Sequence, residues 1–315
     1  MAKYPLAVIP FSGLSPAACE ALAAAIHDAV EALRKWQLPT GPNTRLLNAR
    51  RRLLDVSAQG SYGATPAELY ETAKAILVAN DFYGISRTMQ DERAAPIAEE
   101  LRIALRGPLR ENETRNNTAF DIQSQFWFGT VLAYSGLHPA VPDSNRTKPD
   151  FVISVDTLEC GVEIKRPRSS SSASPALSYA ASQIREYGKP GVIVLDLSQC
   201  VGAEQLILHQ GSPSARQLVR RRFFPLVTQL ANEIADYSHS DKFERILILQ
   251  TYARFFNWTL GAEKDVDMGF FFKSIPFPDA CCGLVTDQSE RIQTKIARGF
   301  ERLSGNPLRV RRTGK

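Results

Sequence analysis

The sequence is poor in the side chains that build soft-metal or disulfide sites. Five cysteines, at positions 19, 160, 200, 281 and 282, form no C-x-x-C pair, and their odd number prevents complete bridging. This argues against both a zinc ribbon and a disulfide scaffold, and reduced, mostly buried thiols are expected. The four histidines (His27, His138, His209 and His239) show no i, i+4 spacing, which leaves little basis for a histidine-rich metal centre. Any metal should be a hard, oxygen-seeking ion. No apolar run approaches the ~20 residues that a spanning helix needs. The short apolar stretch after Tyr4 is broken at Pro10, so neither a secretory segment nor a membrane contact is expected, and a cytoplasmic location is. Charge of one sign is also scarce. The 38 Lys and Arg against 33 Asp and Glu give +5, a bias that helps approach to a polyanion without identifying one.

What is present is an ordinary globular composition, 44% hydrophobic and 23% charged, enough for a substantial core in one large or two modest domains. Ser15-Pro16 supplies a cap and a preset first turn for a helix running to about Trp36, closed by Pro39, Gly41 and Pro42. A second helix is expected around Leu46 to Val56. A third starts at the capping-box spacing of Thr65 and Glu68, and a fourth runs from Pro96 to Leu105. Gly107-Pro108 then marks a boundary between an all-helical domain, 1–108, and a second domain, 109–315.

In the second domain the pattern changes. A helix from Ala119 to Tyr134 precedes two β-branched runs, Phe151 to Val155 and Gly161 to Lys165, separated by a polar stretch from Asp156 to Cys160, as in a hairpin. Ser169 to Ser174 reads as a loop and Ala176 to Tyr187 as a helix. Val192 to Leu197 reads as a buried strand, Ala215 to Tyr237 as a helix, Arg245 to Tyr252 as a strand, and Gln288 to Leu303 as an amphipathic helix. The expected class is α/β, a mixed sheet flanked by helices.

The chemistry concentrates on the hairpin. Alternate side chains of a strand share a face, so Glu163 and Lys165 point one way while Val162 and Ile164 point the other. Two charges on a partly apolar strand carry a desolvation cost unless they pair, meet a metal or stay wet. Asp150, held extended behind Pro149, can approach Glu163 across the hairpin. Two carboxylates with the carbonyl of Ile164 form an oxygen site suited to Mg²⁺ or Mn²⁺, and Lys165 can orient or deprotonate a water and offset developing negative charge. Basic clusters that could hold a polyanion are Arg50 to Arg52, Arg166 with Arg168, Arg220 to Arg222, and the tail from Arg309 to Lys315. Arg166 and Arg168 are the best placed, directly after the hairpin.

Lys148-Pro149-Asp150, twelve residues, then Glu163-Ile164-Lys165 resembles the signature of the PD-(D/E)xK nuclease superfamily, over roughly residues 115 to 200. The resemblance implies a restriction-endonuclease-like fold, Mg²⁺-dependent hydrolysis of a phosphodiester, and DNA as substrate, with RNA as the other polymer of that chemistry. It implies metal ligation by Asp150, Glu163 and the Ile164 carbonyl, with Lys165 as the catalytic cation. Asp121 stands where family members often carry a glutamate and becomes a further ligand candidate. Gln183 and Tyr187 resemble the Q-x-x-x-Y element of an exonuclease-rich branch, which implies that Gln183 faces the site and Tyr187 contacts nucleic acid. A restriction or phage-defence role follows by analogy of fold alone, with residues 1–108 serving sensing, assembly or nucleic-acid binding and a homo-oligomer as a further partner expectation. The alternative is a module of the same fold that binds nucleic acid without cleaving it.

Overall fold

The computed structural model of the chain describes residues 15–35, 38, 41, 44–63, 65–88, 98–106, 118–142, 149–202, 215–236, 241–259, 265–277 and 286–304. Four helices come first: α1 (Ala18–Lys35), α2 (Arg45–Gln59), α3 (Pro66–Thr88) and α4 (Ala98–Leu105). Their starts follow local chemistry. The Ser15 hydroxyl accepts from the Ala18 N–H at 3.3 Å, and Thr44 accepts from the Leu47 N–H at 3.4 Å. The expected capping box closes both ways: Glu68 N–H donates to the Thr65 hydroxyl at 3.3 Å, and Thr65 N–H donates to the Glu68 carboxylate at 2.9 Å. Trp36, Pro39, Pro96 and the Gly107-Pro108 boundary lie outside the described residues.

The sheet follows α5 (Thr118–Tyr134). Its strands β1 (Phe151–Val155), β2 (Leu158–Lys165), β3 (Gly191–Asp196), β4 (Ile246–Thr259) and β5 (Asp265–Pro276) lie in the spatial order β1-β2-β3-β4-β5. β1/β2 and β4/β5 are antiparallel, whereas β2/β3 and β3/β4 are parallel, so the sheet is mixed. The parallel pairs are bridged by α6 (Ser170–Tyr187) and α7 (Ala215–Asp236), and α8 (Thr286–Ser304) follows the sheet. Among the described residues no helix is long and apolar enough to cross a membrane.

Three local expectations are corrected. The hairpin turn is shorter than the polar stretch suggests: Asp156 adopts a left-handed conformation (φ 54°), which closes a two-residue turn and releases Leu158 to Cys160 into β2. The serine-rich segment is helical rather than looped. Ser169 caps α6 and exchanges bonds with Ser172, which outweighs the weak helix preference of serine and the interruption at Pro175. The sheet is also larger than expected, because β4 continues beyond Tyr252 and β5 pairs along it.

The two sheet faces are covered differently. One buried cluster joins Leu22, Leu53, Ile76 and Phe82 of the N-terminal helices to Phe128 of α5, Val162, Val194, Tyr252 and Phe300. Packing thus runs without interruption from the first four helices to the sheet. A second cluster on the opposite face holds Leu177 and Ile184 of α6, Ile193 and Leu195 of β3, and Phe223 of α7. Each such side chain contributes roughly 1.5–3 kcal/mol when fully buried. α6 can sit close because Gly161 and Gly191 are register partners on adjacent strands. A Cβ on Gly191 would lie 2.5 Å from Ile184, so a side chain there would push the helix off the site.

Candidate active site

The hairpin register brings the expected acids together. Phe151 pairs with Val162, so Asp150, one residue earlier, stands level with Glu163. One Asp150 oxygen accepts the Ile164 backbone N–H at 2.7 Å, and the other accepts the Gln125 side-chain amide at 2.7 Å. The Glu163 side chain is 1% exposed, beneath α6. Its Oε1 accepts from Lys165 Nζ at 2.5 Å, whereas Oε2 is buried without a hydrogen-bond partner among the described residues. Lys165, 23% exposed, forms the open side of the site. Its ammonium lies 5.0 Å from the ring centre of Tyr179, an exposed residue of α6.

Burial raises the Asp150 carboxyl to about 8, and the neighbouring Glu163 charge pushes the same way, against Lys165 and the Ile164 N–H. Burial also raises Glu163, and Lys165 offsets this only in part. Two buried acids that resist ionising side by side, one with a vacant acceptor oxygen, present what a divalent cation neutralises. Among the described residues no group of three or more His, Cys, Asp and Glu could hold a metal ion. A cation here would rest on Asp150, Glu163 and backbone oxygen, and the orphaned Glu163 oxygen fits that donor set.

The accessory residues divide. α6 runs antiparallel to β2, so Tyr179, Gln183 and Tyr187, one turn apart, face successive β2 positions. Tyr179 meets Lys165, and Tyr187 meets Glu159 by donating its hydroxyl at 2.5 Å. Gln183 lies between them along α6, and its Oε1 is buried without a hydrogen-bond partner among the described residues. Tyr187 thus sits toward the far end of β2, about four residues or ~13 Å from Glu163. Asp121 is turned to the basic residues after β2, 4.0 Å from Arg166 and 3.7 Å from Arg168. The Arg166 side chain is 5% exposed and lies 3.4 Å from Asp196, whereas the Arg168 side chain is 51% exposed. Arg52 is a structural clamp, donating to the Thr72 hydroxyl and to the carbonyls of Tyr62 and Glu68. The basic C-terminal tail lies outside the described residues.

A second ionic group occupies the α5 face. Arg254 of β4 donates to both Asp81 oxygens, at 2.9 and 2.8 Å, and Gln123 donates to Asp81 at 2.6 Å. Asp196, at the end of β3, accepts from Ser124 at 2.7 Å and from Ser198. Burial works against ionisation of Asp196, but Arg166 and Arg254 hold it below the usual carboxylate range. Sequence reasoning missed Asp81 and Arg254 of this group, along with Gln125 and Tyr179. A signal was available for each. Arg254 interrupts an apolar strand as Glu163 does, Gln125 lies one turn after Asp121, and Tyr179 lies one turn before Gln183.

Comparison with known proteins gives no match to a family model, a curated protein or a solved structure.

Proposed function

We propose that the chain is a divalent-metal-dependent nuclease with a restriction-endonuclease-like core, hydrolysing phosphodiester bonds in DNA. The observation that carries the reading is Glu163: a nearly fully buried carboxylate with one oxygen unpartnered among the described residues, level with a second acid of raised pKa and bonded to a lysine at the solvent edge. The order α5, β1, β2, α6, β3 supports it, since it is the succession of helix, hairpin, helix and strand that the sequence resemblance implies. Bound at Asp150 and Glu163, Mg²⁺ or Mn²⁺ would polarise the phosphoryl group and acidify a water.

The chain's own residues do the rest. Gln125 and the Ile164 N–H fix the Asp150 carboxylate, so its orientation does not depend on substrate. Lys165 at the open side orients the attacking water and offsets charge gathering on the phosphorus oxygens. Arg168 is exposed where the nucleic-acid backbone would pass and supplies a sequence-independent phosphate contact. Purified protein with Mg²⁺ or Mn²⁺ is expected to degrade DNA, and Asp150→Ala and Lys165→Ala to abolish this with their circular dichroism unchanged. Undiminished cleavage by those variants would overturn the reading. DNA retention with a marked salt dependence, but without cleavage by the unaltered chain, would replace it with the non-catalytic module.

A further inference from the structure

Among the described residues, four large apolar or aromatic side chains reach the surface. Leu54, Ile103 and Phe224 are 37–40% exposed, whereas Tyr179 of α6 stands apart at 61%. Phe224 has rings beside it, with Phe223 and Phe271 centred 5.5 and 5.9 Å away. Tyr179 has none among the described residues, and its hydroxyl makes no hydrogen bond there. What its ring does meet is the Lys165 ammonium, 5.0 Å from the ring centre at the open side of the site.

The seat of this ring is rigid and uncovered. Leu177, Ala180, Ala181 and Ile184 of α6 are buried against β3 and α7, and the helix is capped at both ends. The positions one turn away on the same face are Pro175, Ala176, Ser182 and Gln183. Pro175 is itself exposed, Ala176 is too short to cover a ring, and Ser182 turns its hydroxyl back to the Tyr179 carbonyl at 2.7 Å. A flat aromatic surface is thus held in water beside a lysine by a helix that cannot withdraw it, which leaves its apolar faces for a ligand to cover.

In the function proposed above, on which this inference rests, Lys165 stands at the phosphate to be cleaved. A ring this close to its ammonium reaches the nucleotide attached to that phosphate. In an intact duplex the base faces are stacked on one another and the edges are paired, so the duplex offers such a ring only sugar and phosphate. An unpaired base offers a bare π face, and any base can take the place because every base has one. A strand that is already single also avoids the unstacking cost of extruding a base from a duplex. We propose that Tyr179 is a stacking platform for the unpaired base beside the scissile phosphate, so that the site takes single-stranded DNA, including unpaired ends, in preference to intact duplex. Tyr179 holds substrate and transfers no proton.

The test compares the full chain with Tyr179→Ala and Tyr179→Phe on a labelled single-stranded oligothymidylate and on a closed duplex with Mg²⁺. Tyr179→Ala should raise KM for the single strand by about 5- to 150-fold, the scale of one base stacked on an aromatic side chain. It should leave kcat and the duplex reaction unchanged, and Tyr179→Phe should keep the unaltered KM. Anisotropy in EDTA, where binding is read without cleavage, should show the same loss for the single strand. A fall in kcat on both substrates at unchanged single-strand KM would make Tyr179 a positioning residue for Lys165 and overturns the platform. Cleavage by the unaltered chain with Tyr179→Ala indistinguishable from it overturns the platform alone, whereas no cleavage of either substrate by the unaltered chain overturns the nuclease reading and the platform with it. Irradiation of the unaltered chain with a 5-iodouracil oligonucleotide decides independently of any variant: a crosslink on the peptide holding Tyr179 is expected, and crosslinks only elsewhere contradict the proposal.

Discussion

On the α5 face of the sheet, Asp81 and Asp196 are fully buried, yet each oxygen of Asp81 meets Arg254, and Asp196 has two arginines and two hydroxyls around it. On the α6 face, Glu163 is buried almost as deeply and meets Lys165 and the Asp150 backbone N–H, with Oε2 left over among the described residues. The same strand ends carry both groups, since Lys165 and Arg166 are neighbours on opposite sides. The difference separates charge used to hold elements together from charge kept in reserve for a ligand. A satisfied buried network fixes one arrangement of helices on a sheet, whereas an under-satisfied one persists only if something else completes it.

The contrast predicts opposite responses to substitution. The largest effect is on chemistry: Lys165→Ala should lower the cleavage rate by about two to four orders of magnitude, the usual scale for a general acid–base group, read in a single-turnover assay. Next is stability on the other face. Asp81→Ala leaves Arg254 buried beside an absent partner and should cost about 3–5 kcal/mol in denaturant unfolding. Glu163→Gln should break the symmetry of that comparison. It removes a buried charge that lacks full compensation, so cleavage is lost while stability stays level or rises by about 1 kcal/mol. A fall as large as that of Asp81→Ala would place Glu163 among the structural ions.

The metal-free chain should also respond to pH. Asp150 binds its proton more tightly folded than unfolded, because its carboxyl is raised from 3.8 to about 8. Its contribution is fully present below the unfolded value and is lost as pH rises through about 8. Stability should therefore fall between pH 4 and 8, and Mn²⁺ should flatten that slope by replacing the proton. Asp150→Asn should flatten it without metal. The smallest effect is at Gln125: Gln125→Ala removes one hydrogen bond to Asp150 and should cost about 0.5–1.5 kcal/mol of stability.

Much of this was legible in the sequence because it is local. Thr65 with Glu68 and Ser15-Pro16 announce helix starts through bonds made within one turn, and alternation along Gly161 to Lys165 places Glu163 and Lys165 on one face. Asp150 follows from the hairpin, whose register needs only neighbouring residues. The Ser169 to Ser174 segment misled because capping geometry, not composition, decides its helix. β5 was not read as a strand, since its pairing partner β4 is recognised through cross-strand contact. The ionic group around Asp196 joins residues from 81 to 254 and leaves no short-range pattern. Arg166 was legible as basic but not as buried, because its partner Asp196 arrives from another strand.

The central claim is that the two acids of the hairpin await a divalent cation, and calorimetric titration of the full chain with Mn²⁺ near pH 8 tests it most directly. The account predicts saturable binding that releases protons as pH is lowered toward 6 and that vanishes in Glu163→Gln, with folding of that variant intact. Absence of binding in the unaltered chain, or equal binding in Glu163→Gln, would contradict it.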